Sequence, residues 1–206
     1  MKEQTLFTIG LATLLASAPQ AYSQEQLAKS TQETRDETAR ISLQLKATLG
    51  ALNALTQKTQ GDLRPAYNTF AAEVTNTVAA AATTAARVQW MDGEGQQYFK
   101  NWQDTITSIA NESLRKKSQK RLETVRSEFD DVKKELKEAS AKFKPFLSDL
   151  SDIQKTLASD VTAAGVKSVR STVKSANWNH QFVDNAIKAA LKDMDKMEKA
   201  LSSEAK

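Results

Sequence analysis

The strongest constraint in the chain is a strict repeat of three and four residues in its third quarter. Leu122, Val125, Phe129, Val132, Leu136, Ala139, Phe143, Phe146, Leu150, Ile153 and Leu157 follow one another without a miss. Apolar residues at that spacing fall on one stripe of a helix, so the segment must bury a seam against another helix. A second series has the same spacing: Val166, Val169, Val173, Ala176, His180, Val183, Ile187, Ala190, Met194, Met197, Leu201. These two seams dictate architecture and say little about chemistry.

Two weaker stripes precede them. Leu27, Thr31, Thr34, Thr38, Ile41, Leu45, Thr48, Leu52 and Leu55 hold the spacing with threonines in several seam positions. Threonine is β-branched and fills a seam poorly, which predicts loose packing or fraying in the first turns. Gly61-Asp62 followed by Pro65 marks a stop and a new start, with Asp62 expected as the N-cap. From about Leu63 to Ala110 every seventh residue reads Tyr67, Val74, Ala81, Val88, Gly95, Trp102, Ile109. Gly93 and Gly95 weaken that helix by roughly 1 kcal/mol each relative to alanine. The stripe keeps its phase through them, which favours a kink or thin place over a separate turn.

At Asn111 the phase does change. Ile109 to Leu122 falls one residue short of two heptads, which would rotate a continuous seam by about 100°. A reversal capped by Asn111 or Ser113 is the simpler account, with a continuous helix carrying a local skip as the alternative. Pro145 lies inside the third helix and removes one backbone hydrogen bond. The third helix is expected to end between Ser159 and Gly165, and Asp160 or Thr162 to cap the fourth. Four long segments with short connections fold most simply as antiparallel neighbours. The expected fold is all-α, an elongated antiparallel coiled-coil-like bundle of about four long helices, with one bundle domain over residues 24–201 and a frayed tail over 202–206. Self-association through the seams is a further expectation.

Composition agrees. Aromatic residues make up 6% of the 206 residues, and Gly and Pro are scarce, as long helices require. The chain has no cysteine, so it can hold neither a disulfide nor a thiolate metal site. Its net charge is +4, yet acids and bases are interspersed, the pattern of solvated helix faces more than of a nucleic-acid surface. The first residues read as an export signal: Lys2, then the apolar run Leu6 to Ala16, then Ala21 and Ser23 at −3 and −1 of a cut before Gln24. The run is well short of the roughly 20 residues that a membrane-spanning helix needs. The expectation is a signal peptide over 1–23 cleaved after Ser23, no membrane span in the mature chain, and a periplasmic location in a Gram-negative bacterium.

Gly61-Asp62-Leu63 with Tyr67, Phe99 with Trp102, Asn111 with Ser113-Leu114-Arg115 and Ser118, and Pro145 with Leu147 and Asp152 form an ordered series. In that order and spacing the chain resembles the uncharacterised bacterial family catalogued as domain of unknown function 2959. It departs at Leu157-Ala158-Ser159-Asp160-Val161, where the family often carries an Asn-rich Leu-Asn segment. The resemblance implies an exported or envelope-associated helical protein and transfers no catalytic residue.

Few residues could carry chemistry. His180 is the sole histidine and stands on a seam, where a half-buried ring hydrogen-bonded across the interface is expected; Asn177 precedes it where an iron-binding helix would carry Glu. Trp102 is expected in the core, and Trp90 and Trp178 at seam edges. Asp130 and Asp131 are adjacent, so they point about 100° apart and cannot share a substrate. No nucleophile triad, phosphate loop or metal cluster is legible, so neither enzyme activity nor a cofactor is expected. Arg115, Lys116, Lys117, Lys120 and Arg121 form the densest basic run. If the chain reverses at Asn111, they sit at one end of the bundle, within reach of an envelope protein or an anionic envelope surface. Bases at a helix start oppose its dipole, and no aromatics interleave for stacking on nucleic acid. The function this supports is a non-catalytic exported interaction or scaffold protein of the envelope. The alternative is a holdase-type periplasmic chaperone for unfolded envelope proteins, resembling the Skp type but without a strand-like stretch for its oligomerising body.

Overall fold

The computed structural model describes residues 18–58 and 60–202, with side chains from Gln24 onward. The expected signal peptide, apart from the backbone of 18–23, lies outside the described residues, as does the tail beyond Ser202. The described elements are α1 (Ala18–Gln57), α2 (Arg64–Ser108), α3 (Glu112–Ser159), the short α4 (Ala163–Ser168) and α5 (Arg170–Ser202). The four long helices form an up-and-down bundle in which α1 lies against α2 and α5, and α3 against α2 and α5. At ~1.5 Å per residue the 45 residues of α2 make a rod of about 67 Å. No helix among the described residues is long and apolar enough to cross a membrane.

The seams behave as their spacing requires. Every seam residue of α3 is buried except Phe143, which is half-buried, and every one from Val166 to Leu201 is buried except His180. They are filled within one chain, α3 on α5. The core divides lengthwise into two clusters. One holds Leu52, Leu55, Phe70, Phe146, Ile153 and Val173, towards the α1–α2 connection. The other holds Leu27, Met91, Phe99, Phe129, Met194 and Leu201, towards the α2–α3 connection.

The threonine stripe of α1 corrects the expectation of loose packing. Thr31, Thr34, Thr38 and Thr48 are 0–2% exposed. Each hydroxyl donates to the carbonyl four residues earlier, as Thr34 Oγ1 does to Ser30 at 2.8 Å, so none is orphaned. Being short, they let α2 approach until Thr34 Oγ1 meets the carbonyl of Arg87 at 3.2 Å and Thr48 Oγ1 meets Thr77 Oγ1 at 2.7 Å. The run Ala79–Ala82 of α2 carries equally small side chains at this level of the rod. The size of threonine decides here, against its modest helix propensity.

Other boundaries differ in detail. Helix α2 begins at Arg64 and ends at Ser108, inside the expected 63–110. The N-cap position falls on Leu63, whose hydrocarbon side chain has no acceptor to offer the helix and, 3% exposed, packs into the core instead. Asp62 still accepts from the amide of Arg64 at 3.0 Å, and Gly61 takes the left-handed φ of 81° that the turn needs. Helix α2 runs unbroken through Gly93 and Gly95. The expected fourth helix is divided at Val169, whose φ of −90° and ψ of 0° leave the helical run for one residue. Thr162 caps α4, accepting from Gly165, and the register continues across the break because Val173 N bonds to Val169 O at 2.9 Å. Pro145 sits within α3 on its exposed side.

Candidate functional site

The reversal at Asn111 is real and it builds one end of the molecule. Ile109 and Asn111 are extended, and Asn111 Oδ1 accepts from Leu114 N at 3.1 Å, the N-cap expected for it. Below the turn, Tyr98, Phe99, Trp102 and Phe129 lock α2 to α3, with ring centroids 5.3–5.4 Å apart along the chain of contacts. Half-buried Trp102 donates its indole N–H to Ser118 Oγ at 3.0 Å, and Gln103 donates to Gln119 at 3.4 Å. Burial pushes the Tyr98 phenol up to about 12. The tip is therefore a braced hairpin and not a loose loop. Residues 111–117 are all exposed on it.

The start of α1 and the end of α5 lie at this same end. Gln24 of α1 donates to the carbonyl of Leu201 in α5 at 2.6 Å, and Arg121 of α3 donates to the carbonyl of Ala200. The first turns of α3, Glu112 to Lys120, thus lie beyond the level at which α3 meets the last turn of α5.

The five bases of the sequence motif do different things here. Arg115 donates to the carbonyl of Ile109 at 3.2 Å, and Arg121 to that of Ala200. Each places a cation at the carbonyl end of another helix, α2 and α5 respectively, where the dipole is negative. That resolves the apparent conflict of bases at a helix start. Lys116 pairs with Glu112 one turn before it at 2.7 Å. Lys117 and Lys120 have no ion pair or side-chain hydrogen bond among the described residues. Arg115, Lys116 and Lys120 line a groove of about 630 Å³ with Gln103, Ile106, Thr107, Gln119 and Glu123, while Lys117 and Arg121 lie outside it. Ahead of the bases stands Leu114, 56% exposed. The motif singled out the bases and missed Leu114; its spacing gave the signal, because Leu114 falls off the seam that starts at Leu122.

The other candidates lie along the rod, away from the tip. His180 is half-buried with its ring 5.8 Å from that of Phe146; it makes this ring contact in place of the expected hydrogen bond across the seam. Burial lowers its pKa, opposed by Asp184. Trp90 and Trp178 are 41% and 61% exposed. Trp90 donates to Glu94, and Trp178 stands edge-on to Phe182. No group of three or more His, Cys, Asp or Glu among the described residues could hold a metal.

The geometry defines an all-α, up-and-down bundle of four long helices with a braced, basic hairpin at the end where α1 begins and α5 ends. The chain belongs to the family described as Protein of unknown function (DUF2959), whose model matches residues 21–201. Neither a curated protein nor a solved structure matches it.

Proposed function

We infer that the chain is an exported, non-catalytic interaction protein of the bacterial envelope, which meets its partner through the α2–α3 tip. One observation carries this reading: Lys117 and Lys120 stand unpaired among the described residues beside exposed Leu114 on a hairpin that its own aromatic cluster braces. Unpaired charge on a long flexible side chain is ordinary on a solvated face. On a braced projection beside an exposed leucine it makes a contact surface whose backbone is preorganised, so that only these side chains have to be ordered on binding. Export rests on the apolar run Leu6 to Ala16 and the small residues Ala21 and Ser23.

The test is crosslinking in intact cells from a photoreactive residue placed at Ser113, compared with one at Ala158 near the opposite end. Adducts with envelope components from position 113 that disappear in Lys117→Glu/Lys120→Glu are expected. Equal adducts from both positions, or adducts indifferent to the charge reversal, would overturn the reading.

A further inference from the structure

We propose that the tip docks on the anionic surface of a lipid bilayer, with Leu114 entering the interfacial layer and Lys117, Lys120 and Arg115 facing the head groups. The proposal rests on the preceding reading of the tip as the contact surface and names what it contacts.

Charge comes first. Over residues 109–121 five bases stand against one acid, Glu112, and the two lysines without partners among the described residues lie one turn apart on α3. An anionic leaflet attracts each such base by an amount that corresponds to about a fivefold gain in affinity. The apolar residue comes second. An acidic protein groove would need only the bases, whereas a leucine 56% exposed ahead of them matches a surface with charge outside and hydrocarbon beneath. Direction comes third. Helix α1 starts at this end, as Gln24 bonded to Leu201 shows. At the opposite end, with the connections 58–63 and 160–162, the bases are spaced more widely along the chain: Lys58 is engaged by the carbonyl of Asp62 at 2.7 Å, Arg64 by Asp62 and Lys155 by Asp152, while Lys167 and Arg170 have no ion pair among the described residues.

The chain lacks cysteine, so a single one can carry an environment-sensitive fluorophore. The purified chain bearing Ser113→Cys or, as the distal control, Ala158→Cys is titrated with vesicles of neutral phosphatidylcholine, with or without about one third phosphatidylglycerol. The 113 label should shift to the blue with anionic vesicles alone, and the shift should be lost at high salt. The 158 label should stay unchanged. Lys117→Gln/Lys120→Gln should weaken the midpoint on the order of 30-fold, and Leu114→Ser should weaken it further while leaving helical circular dichroism intact.

An equal response to neutral vesicles, or equal shifts at 113 and 158, would overturn the proposal, since the chain would then adsorb without using its tip. So would a shift produced by polyglutamate and not by vesicles, which would point to an acidic protein. That last result leaves the tip as a contact surface, so failure of the lipid proposal is distinguishable from failure of the functional reading, which falls if crosslinks in cells are equal from positions 113 and 158 or indifferent to the charge reversal.

Discussion

Gly95 and Phe129 occupy each other's space: a Cβ built on Gly95 would stand 2.2 Å from the Cζ of the Phe129 ring. Phe129 is a seam residue of α3, 3% exposed, and its ring lies flat against the backbone of α2 because residue 95 has no side chain. Gly93, two residues away and equally helical, meets nothing within 4 Å. The two glycines therefore predict opposite outcomes. Gly93→Ala should stabilise the bundle by up to about 1 kcal/mol through helix propensity alone. Gly95→Ala should destabilise it by about 1–3 kcal/mol, overpacking outweighing that gain, and Phe129→Leu in the same chain should recover part of the loss. Urea unfolding followed by circular dichroism measures all three, and equal effects of the two alanines would refute the packing argument.

The hydroxyl pair of Thr48 and Thr77, at 2.7 Å and fully buried, gives a second test. Thr77→Val should cost little because Thr48 keeps its bond to the carbonyl of Gln44. Thr48→Val leaves the Thr77 hydroxyl without its partner and should cost about 1–2 kcal/mol. The double valine variant should be less harmful than the sum of the two, and a double-mutant cycle of zero coupling would show the pair to be incidental.

His180 makes stability fall on mild acidification. Burial lowers its pKa below 6.5, so the unfolded chain binds the proton more readily than the native one. Its contribution is then intact above the unfolded pKa near 6.5 and is lost as pH falls through the window below it. The groups around it pull both ways: Asp184 favours the charged ring, Lys188 and Lys46 disfavour it, and the Phe146 ring is neutral. His180→Phe should flatten the midpoint of urea unfolding between pH 7 and pH 5 relative to the parent chain. An unchanged slope would assign the acid response to other groups.

Glu198 works in the opposite sense. Burial raises its pKa, with Arg35 opposing and Asp195 and Asp36 adding to the rise, and its Oε1 is buried without a hydrogen-bond partner. A carboxyl with a raised native pKa penalises the fold at neutral pH, and the penalty fades as pH falls through the raised native value and is gone below the ordinary glutamate value. Glu198→Gln should therefore raise stability at pH 7, by at most about 1 kcal/mol given partial exposure, and make no difference near pH 4. Thermal melts at the two pH values decide it; destabilisation at pH 7 would mean that attraction to Arg35 dominates.

The seams made the fold legible. A repeat as regular as Leu122 to Leu157 leaves one face to bury, and the phase slip before it located the reversal at Asn111. The α1 stripe was legible as a face but not as a tight one, because residue type at a seam position does not reveal whether the partner helix is near or far. Threonine is a poor filler at coiled-coil distance and a good one when Ala-rich α2 comes close. Gly95 was likewise read for its effect on its own helix, whereas its reason lies in Phe129, on another element. At the tip, the spacing identified the basic run but not its division of labour. Arg121 caps α5, and nothing local to residue 121 says that α5 ends there; that follows only once four helices of similar length are stacked.

An even number of long helices returns the chain to the side from which it set out, and here that side is the tip. Seated there, the molecule would hold its other end, the connections at 58–63 and 160–162, at the far side of a rod about 67 Å long. Such a body is a spacer: with one end engaged, its length fixes how far from that contact a second one can be made.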